Sequence, residues 1–114
     1  MRNILLVLFI VPSLFAEGIS YSQVTKVKSD DALNIRAAST HKSEKIASIP
    51  FDAQCVKNHG CGKDINLEVL MHMQEEEVKI FFEQAKEGWC YLEYKGKFGW
   101  ANQYYLSPSK ADCK

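Results

Sequence analysis

The most reactive side chains in this chain are four cysteines, Cys55, Cys61, Cys90 and Cys113, with His59 between the first two in the stretch CVKNHGC. Four chemistries could use them. A zinc site would take Cys55, His59 and Cys61, with Cys90 as a fourth ligand, but this spacing matches none of the usual ligand patterns. A nucleophilic cysteine would need a cause for a lowered thiol pKa and a third group to orient its base, and neither is evident. Haem attachment would need Cys-x-x-Cys-His, which does not occur. Oxidation to two disulfides needs only an oxidising compartment, and four cysteines allow three connectivities. Disulfides are therefore the expectation, with no metal, no cofactor and no catalytic residue. Cys55–Cys61 with Cys90–Cys113 is the expected pairing. Its rival is Cys55–Cys90, because both look inward on strands that could pair.

A second group of residues suits binding. The stretch EGWCYLEYKGKFGWANQYYL, from Glu87 to Leu106, holds two Trp, four Tyr and a Phe. Each Trp or Tyr offers a large rigid face and one polar tip, which fits either a barrel core or a wet surface that grips a chain.

The oxidising compartment is itself legible. Arg2 precedes an apolar run from Ile4 to Phe15, followed by the small residue Ala16. That run is too short to span a bilayer and has the length of a secretory signal. Residues 1–16 are read as a signal peptide and 17–114 as one domain, placed in the periplasm or secreted, with no membrane span after cleavage. Removing the leader takes away Arg2 and no acidic residue, leaving 13 basic against 14 acidic side chains. A near-neutral chain without a basic stripe argues against nucleic acid as a partner.

These residues must be positioned by short strands. SYSQVTKV (Ser20–Val27) alternates Tyr21, Gln23, Thr25 and Val27 against polar or mixed neighbours, a faint strand pattern. In ALNIRAAS, Leu33 and Ile35 alternate with Asn34 and Arg36, as in a half-buried strand. KIASIPFDAQCVKN reads as strand, turn, strand, punctuated by Pro50 and Asp52, and NHGCG closes it in a turn. In EEEVKIFFEQAKEG, Val78, Phe81, Phe82 and Ala85 fall at i, i+3, i+4 and i+7, predicting a helix over about residues 75–86. Three Glu in its first turn and a following Gly88 suit its ends. NLEVLMHM before it leans to a short helix. WCYLEY and KFGWA then alternate around Lys95-Gly96, a hairpin whose glycine can take positive φ. Cys90, Leu92 and Tyr94 share the expected core face; Trp89, Tyr91 and Glu93 share the other. The expected class is mostly β: a small barrel of short antiparallel strands with an inserted helical segment, stapled by disulfides.

Four elements in this order resemble the bacterial SH3-like (SH3b) family. They are Leu33-Asn34-Ile35-Arg36, Gly88-Trp89, Gly99-Trp100 and Tyr105-Leu106, and the resemblance covers roughly residues 24–58 and 88–107. Two departures stand out. Ala37-Ala38-Ser39 replaces the usual Gly-Pro turn, and an insertion at about 59–87 separates the core strands. Loops this long in compact domains usually carry a function or are mobile.

The resemblance implies a binding domain whose partner is peptidoglycan or an envelope protein, gripped as an extended segment. By the same resemblance, Trp89, Trp100, Tyr104 and Tyr105 line the groove, and Asn102 falls at its small polar position. Gly88-Trp89 and Gly99-Trp100 would each open a strand. Trp100 and Tyr105 could equally pack the barrel. Arg36 could pair with a ligand carboxylate, or be structural, tying down a loop or stacking on Trp100. The insertion helix could cover an open edge, or dock a periplasmic partner.

Overall fold

A computed structural model describes residues 20–113, so the leader at residues 1–16 lies outside the described residues. Along the chain come β1 (Ser20–Val24), β2 (Ala32–Arg36), β3 (Lys45–Pro50), β4 (Val56–Cys61) and β5 (Asp64–Ile65). Two helices follow, α1 (Leu67–Leu70) and α2 (Glu75–Gln84). Then come β6 (Trp89–Tyr94), β7 (Lys97–Asn102), a single 3-10 turn at Gln103–Tyr105, and β8 (Leu106–Pro108). The strands form one sheet in the order β3-β2-β7-β6-β4-β1-β8, with β5 paired to β4. The pairings are antiparallel.

Side chains from one face of this sheet build the core. Val24, Leu33, Ile35, Ile49, Val56, Cys90, Leu92 and Ala101 are buried together, and Leu106 packs against them. Ile49 and Leu106 belong to the two ends of the sheet path, so the sheet curls until both ends share one core. The expected class holds: a small, mostly antiparallel β fold with an inserted helical segment and two disulfides. Helix α2 falls within the predicted range, and the Gln74 N–H donates to Glu77 Oε1 at 2.8 Å to open it. The hairpin turns at Lys95 and Gly96, with φ of 50° and 80°. Two successive left-handed residues give the tight turn whose twist matches the flanking strands.

Three local readings need correction. In β1 the buried residues are Ser22 and Val24, the opposite parity from Tyr21, Gln23 and Thr25. The strand has a single aliphatic residue, and the buried Ser22 hydroxyl accepts from Asn58 Nδ2 at 3.0 Å, so a polar inward position costs little. The second correction concerns NHGCG, where β4 continues to Cys61 and the turn begins at Gly62. Gly60 allows this because β5 lies against it: a Cβ there would sit 2.2 Å from Asp64 O. Third, Gly99 does not open a strand but lies inside β7. A Cβ on Gly99 would meet Ile35 Cγ2 at 2.1 Å and Arg36 O at 2.8 Å, so glycine is what lets β2 cross so closely.

The disulfides take the third connectivity, Cys55–Cys113 and Cys61–Cys90. Neither Cys55–Cys61 nor Cys55–Cys90 forms. Cys55 precedes β4 and Cys61 ends it, so an extended strand holds them roughly 20 Å apart. Cys61 stands directly opposite Cys90 across β4–β6. Cys55 instead meets the returning C-terminal segment, where Ser109 Oγ accepts from its N–H at 3.2 Å. Cys61–Cys90 closes the base of the insertion, and the Gly62 N–H donates to Trp89 O at 2.8 Å beside it.

Digestion of the unreduced protein should release Cys55 with Cys113 and Cys61 with Cys90, as read by mass spectrometry. Replacing Cys61 and Cys90 together by Ala should lower the unfolding free energy by about 3–4 kcal/mol in urea, the scale for a closed loop of this length. Recovery of a Cys55–Cys61 peptide would contradict the described register of β4.

Candidate functional site

The outer face of the β6–β7 hairpin organises the surface. Antiparallel pairing sets Trp89 opposite Asn102, Tyr91 opposite Trp100, and Glu93 opposite Phe98. These three pairs form one polar-aromatic row. Helix α2 crosses its middle. Phe81 packs edge-on to Tyr91 at 4.8 Å between ring centroids and lies 5.1 Å from Trp100. Trp100 is consequently only 1% exposed. Its place is a second apolar cluster with Ile65, Phe81 and Ala85, not the groove.

At one end of the row lies a groove of about 410 Å³, lined by Trp89, Asn102, Tyr105 and Arg36 together with Lys26, Lys28, Asp31 and His41. Four of the six residues expected to line a groove therefore meet, although they come from β2, β6, the end of β7 and the 3-10 turn. Trp89 is half-buried: one side joins the cluster under α2, and His41 meets its ring edge-on at 5.1 Å. Tyr105 serves both roles, packing against the barrel core and lining the groove. Tyr104 is 61% exposed beside it, edge-to-face with Tyr105 at 5.0 Å, with Lys26 Nζ 4.4 Å over its ring. Asn102 Oδ1 accepts from the Tyr104 N–H at 2.9 Å, which fixes the turn that presents both tyrosines. Arg36 Nη1 donates to Ser43 O at 3.0 Å, so this side chain ties down the β2–β3 loop, and the residue also lines the groove.

Sequence reasoning missed Lys26, Lys28, Asp31 and His41. They sit in two polar loops, and no periodicity links them to Trp89. Lys26 carried one local signal only after folding: its φ of 61° is left-handed, a strained state for a non-glycine residue.

At the other end of the row is a second cleft of about 440 Å³, lined by His59, Glu93, Phe98, Tyr91, Val69 and Met73 among others. His59 is 8% exposed, lies 5.8 Å from Phe98 in a stacked arrangement, and places Nε2 3.0 Å from Glu93 Oε1. Nε2–H donates to the carboxylate, while the buried Nδ1 has no hydrogen-bond partner. His59 is thus held by a carboxylate, apart from the paired cysteines Cys55 and Cys61. All four cysteines are paired, and among the described residues no group of three or more His, Cys, Asp or Glu could hold a metal. No described helix is long and apolar enough to cross a membrane.

No family model, curated protein or solved structure matches this chain.

Burial, and then the nearby Glu93 charge, push the Tyr91 hydroxyl above its ordinary value of 10.0. The folded state therefore holds this proton more tightly than the unfolded chain. The associated stability is fully present below pH 10 and is lost as pH rises through the elevated value. Urea unfolding of Tyr91→Phe across the alkaline range should show a shallower loss of stability than the parent. Parallel pH curves would show that Tyr91 is not desolvated as described.

Proposed function

We propose that this chain is an exported, non-catalytic binding module of the bacterial cell envelope, organised like an SH3b domain. Its groove takes a peptidoglycan peptide or another extended peptide segment. The observation that supports this reading is the convergence of Arg36, Trp89, Asn102 and Tyr105, widely separated in sequence, on one groove. Tyr104 is not among the lining residues but stands against Tyr105 with an exposed ring. A half-buried Trp and a pair of crossed tyrosines offer rigid faces at little cost in side-chain entropy, while the flanking polar groups can hydrogen-bond a peptide backbone. Two disulfides suit the oxidising compartment to which the leader points.

A second reading is supported by the insertion. Leu67 and Met71 at α1, and Ile80 on α2, are 72%, 78% and 54% exposed. Apolar side chains left in solvent on an inserted segment suit docking onto a partner protein. In that case the chain is an interaction subunit of an envelope assembly.

The two readings separate in one experiment. The mature chain should co-sediment with insoluble cell wall, and Trp89→Ala or Tyr104→Ala should weaken retention about tenfold or more, the scale of a central aromatic contact. Circular dichroism should report an intact fold in both variants. Retention that survives both changes rules out the groove. Cross-links in the envelope that map to residues 63–87 would instead favour the docking subunit.

A further inference from the structure

The groove has a charge that the chain as a whole lacks. The full sequence carries 14 basic and 14 acidic residues. Around the groove, however, stand Lys26, Lys28 and Arg36, with His41 beside them, against the single acid Asp31. Asp31 Oδ1 accepts from the Ala32 N–H at 2.7 Å, which fixes this carboxylate but leaves its charge, so the lining still holds three permanent cations against one anion. Acidic residues gather instead on the insertion helix, at Glu75, Glu76, Glu77 and Glu83.

The basic groups are also placed, not merely present. Lys26 is held in a left-handed backbone conformation, and its ammonium lies 4.4 Å over the Tyr104 ring. A strained backbone persists only where surrounding structure over-determines it, and such positions concentrate at binding sites. The Arg36 guanidinium has five N–H donors, of which the bond to Ser43 O uses one. Its planar fork matches a carboxylate. Trp89 and Tyr105 line the same groove as these cations.

We infer that the groove selects a carboxylate-bearing peptide: an extended segment whose acidic side chains or terminal carboxylates meet Lys26, Lys28 and Arg36 while its backbone lies along Trp89 and Tyr105. This rests on the reading of the groove as the binding surface, and it names the chemistry of what that surface takes. Charge complementarity gives such a site its selectivity and a rate of encounter that falls with salt.

The test uses the full mature protein and two short fluorescein-labelled synthetic peptides, one alternating Glu with Ala and the other alternating Gln with Ala. Fluorescence anisotropy should show the Glu peptide binding about tenfold more tightly than its Gln counterpart at low salt. The advantage should shrink as salt rises. The double variant Lys26→Gln, Lys28→Gln alters two exposed side chains and should erase most of the difference, while Trp89→Ala should weaken both peptides alike. Equal affinity for the two peptides, with both lost in Trp89→Ala, would overturn the carboxylate preference and leave the groove standing. Binding of neither peptide would overturn the carboxylate preference too. The groove itself would then be judged by whether cell-wall retention depends on Trp89 and Tyr104. Tight binding of the Glu peptide unaffected by the double lysine variant would place the recognition elsewhere.

Discussion

The contact on which this surface depends is the packing of Phe81 against Tyr91 and Trp100. Burying a phenyl ring contributes about 1.5–3 kcal/mol, and crossed aromatic pairs add about 0.5–1.5 kcal/mol. It also decides the shape of the surface. Strand alternation lays Trp89, Tyr91 and Glu93 beside Asn102, Trp100 and Phe98 in one row. Left uncovered, that row would be a single broad aromatic patch. With α2 seated across its middle, the row is split into a groove beside Trp89 and a second cleft beside Glu93.

Holding α2 there requires that the insertion start and finish at one place. The Cys61–Cys90 bond provides this, joining residues 29 apart in sequence across neighbouring strands. Several hydrogen bonds continue the attachment outward: Gly62 N–H to Trp89 O, Asn66 N–H to His59 O, and Lys63 Nζ to Phe82 O. The segment is therefore an annex to the barrel with its own small core of Ile65, Phe81, Ala85 and Trp100. The other bond, Cys55–Cys113, fastens the C-terminal segment beyond β8 to the start of β4. One staple shapes the surface; the other secures an end of the chain.

Much of the frame was legible from local pattern. Leu33 and Ile35 alternate and are buried; Cys90 and Leu92 share a parity and are buried; Val78, Phe81, Phe82 and Ala85 mark a helical face, of which Phe81 and the C-cap Ala85 are buried and Phe82 is half-buried. Lys95-Gly96 marked the hairpin, and left-handed φ at both residues made it. What stayed hidden were features set by distant partners. The polarity of β1 could not be read because Ser22 is satisfied by Asn58, 36 residues away. The role of Gly99 depends on β2 crossing against it.

By itself, the sequence determined the class of the fold, the inward row of each well-patterned strand, the helix of the insertion, and which aromatic and polar types would be available for binding. These are consequences of periodicities of two and 3.6 residues, which need no knowledge of neighbours. Tertiary structure alone decided the disulfide pairing, the burial of Trp100 and the assembly of the groove. Each depends on which side chains lie opposite one another across strands or beneath a helix, and a one-residue change of register would reverse it. Trp89 and Trp100 look equivalent as Gly-Trp pairs in the sequence. The structure separates them, because Phe81 covers one and leaves a side of the other open to the groove.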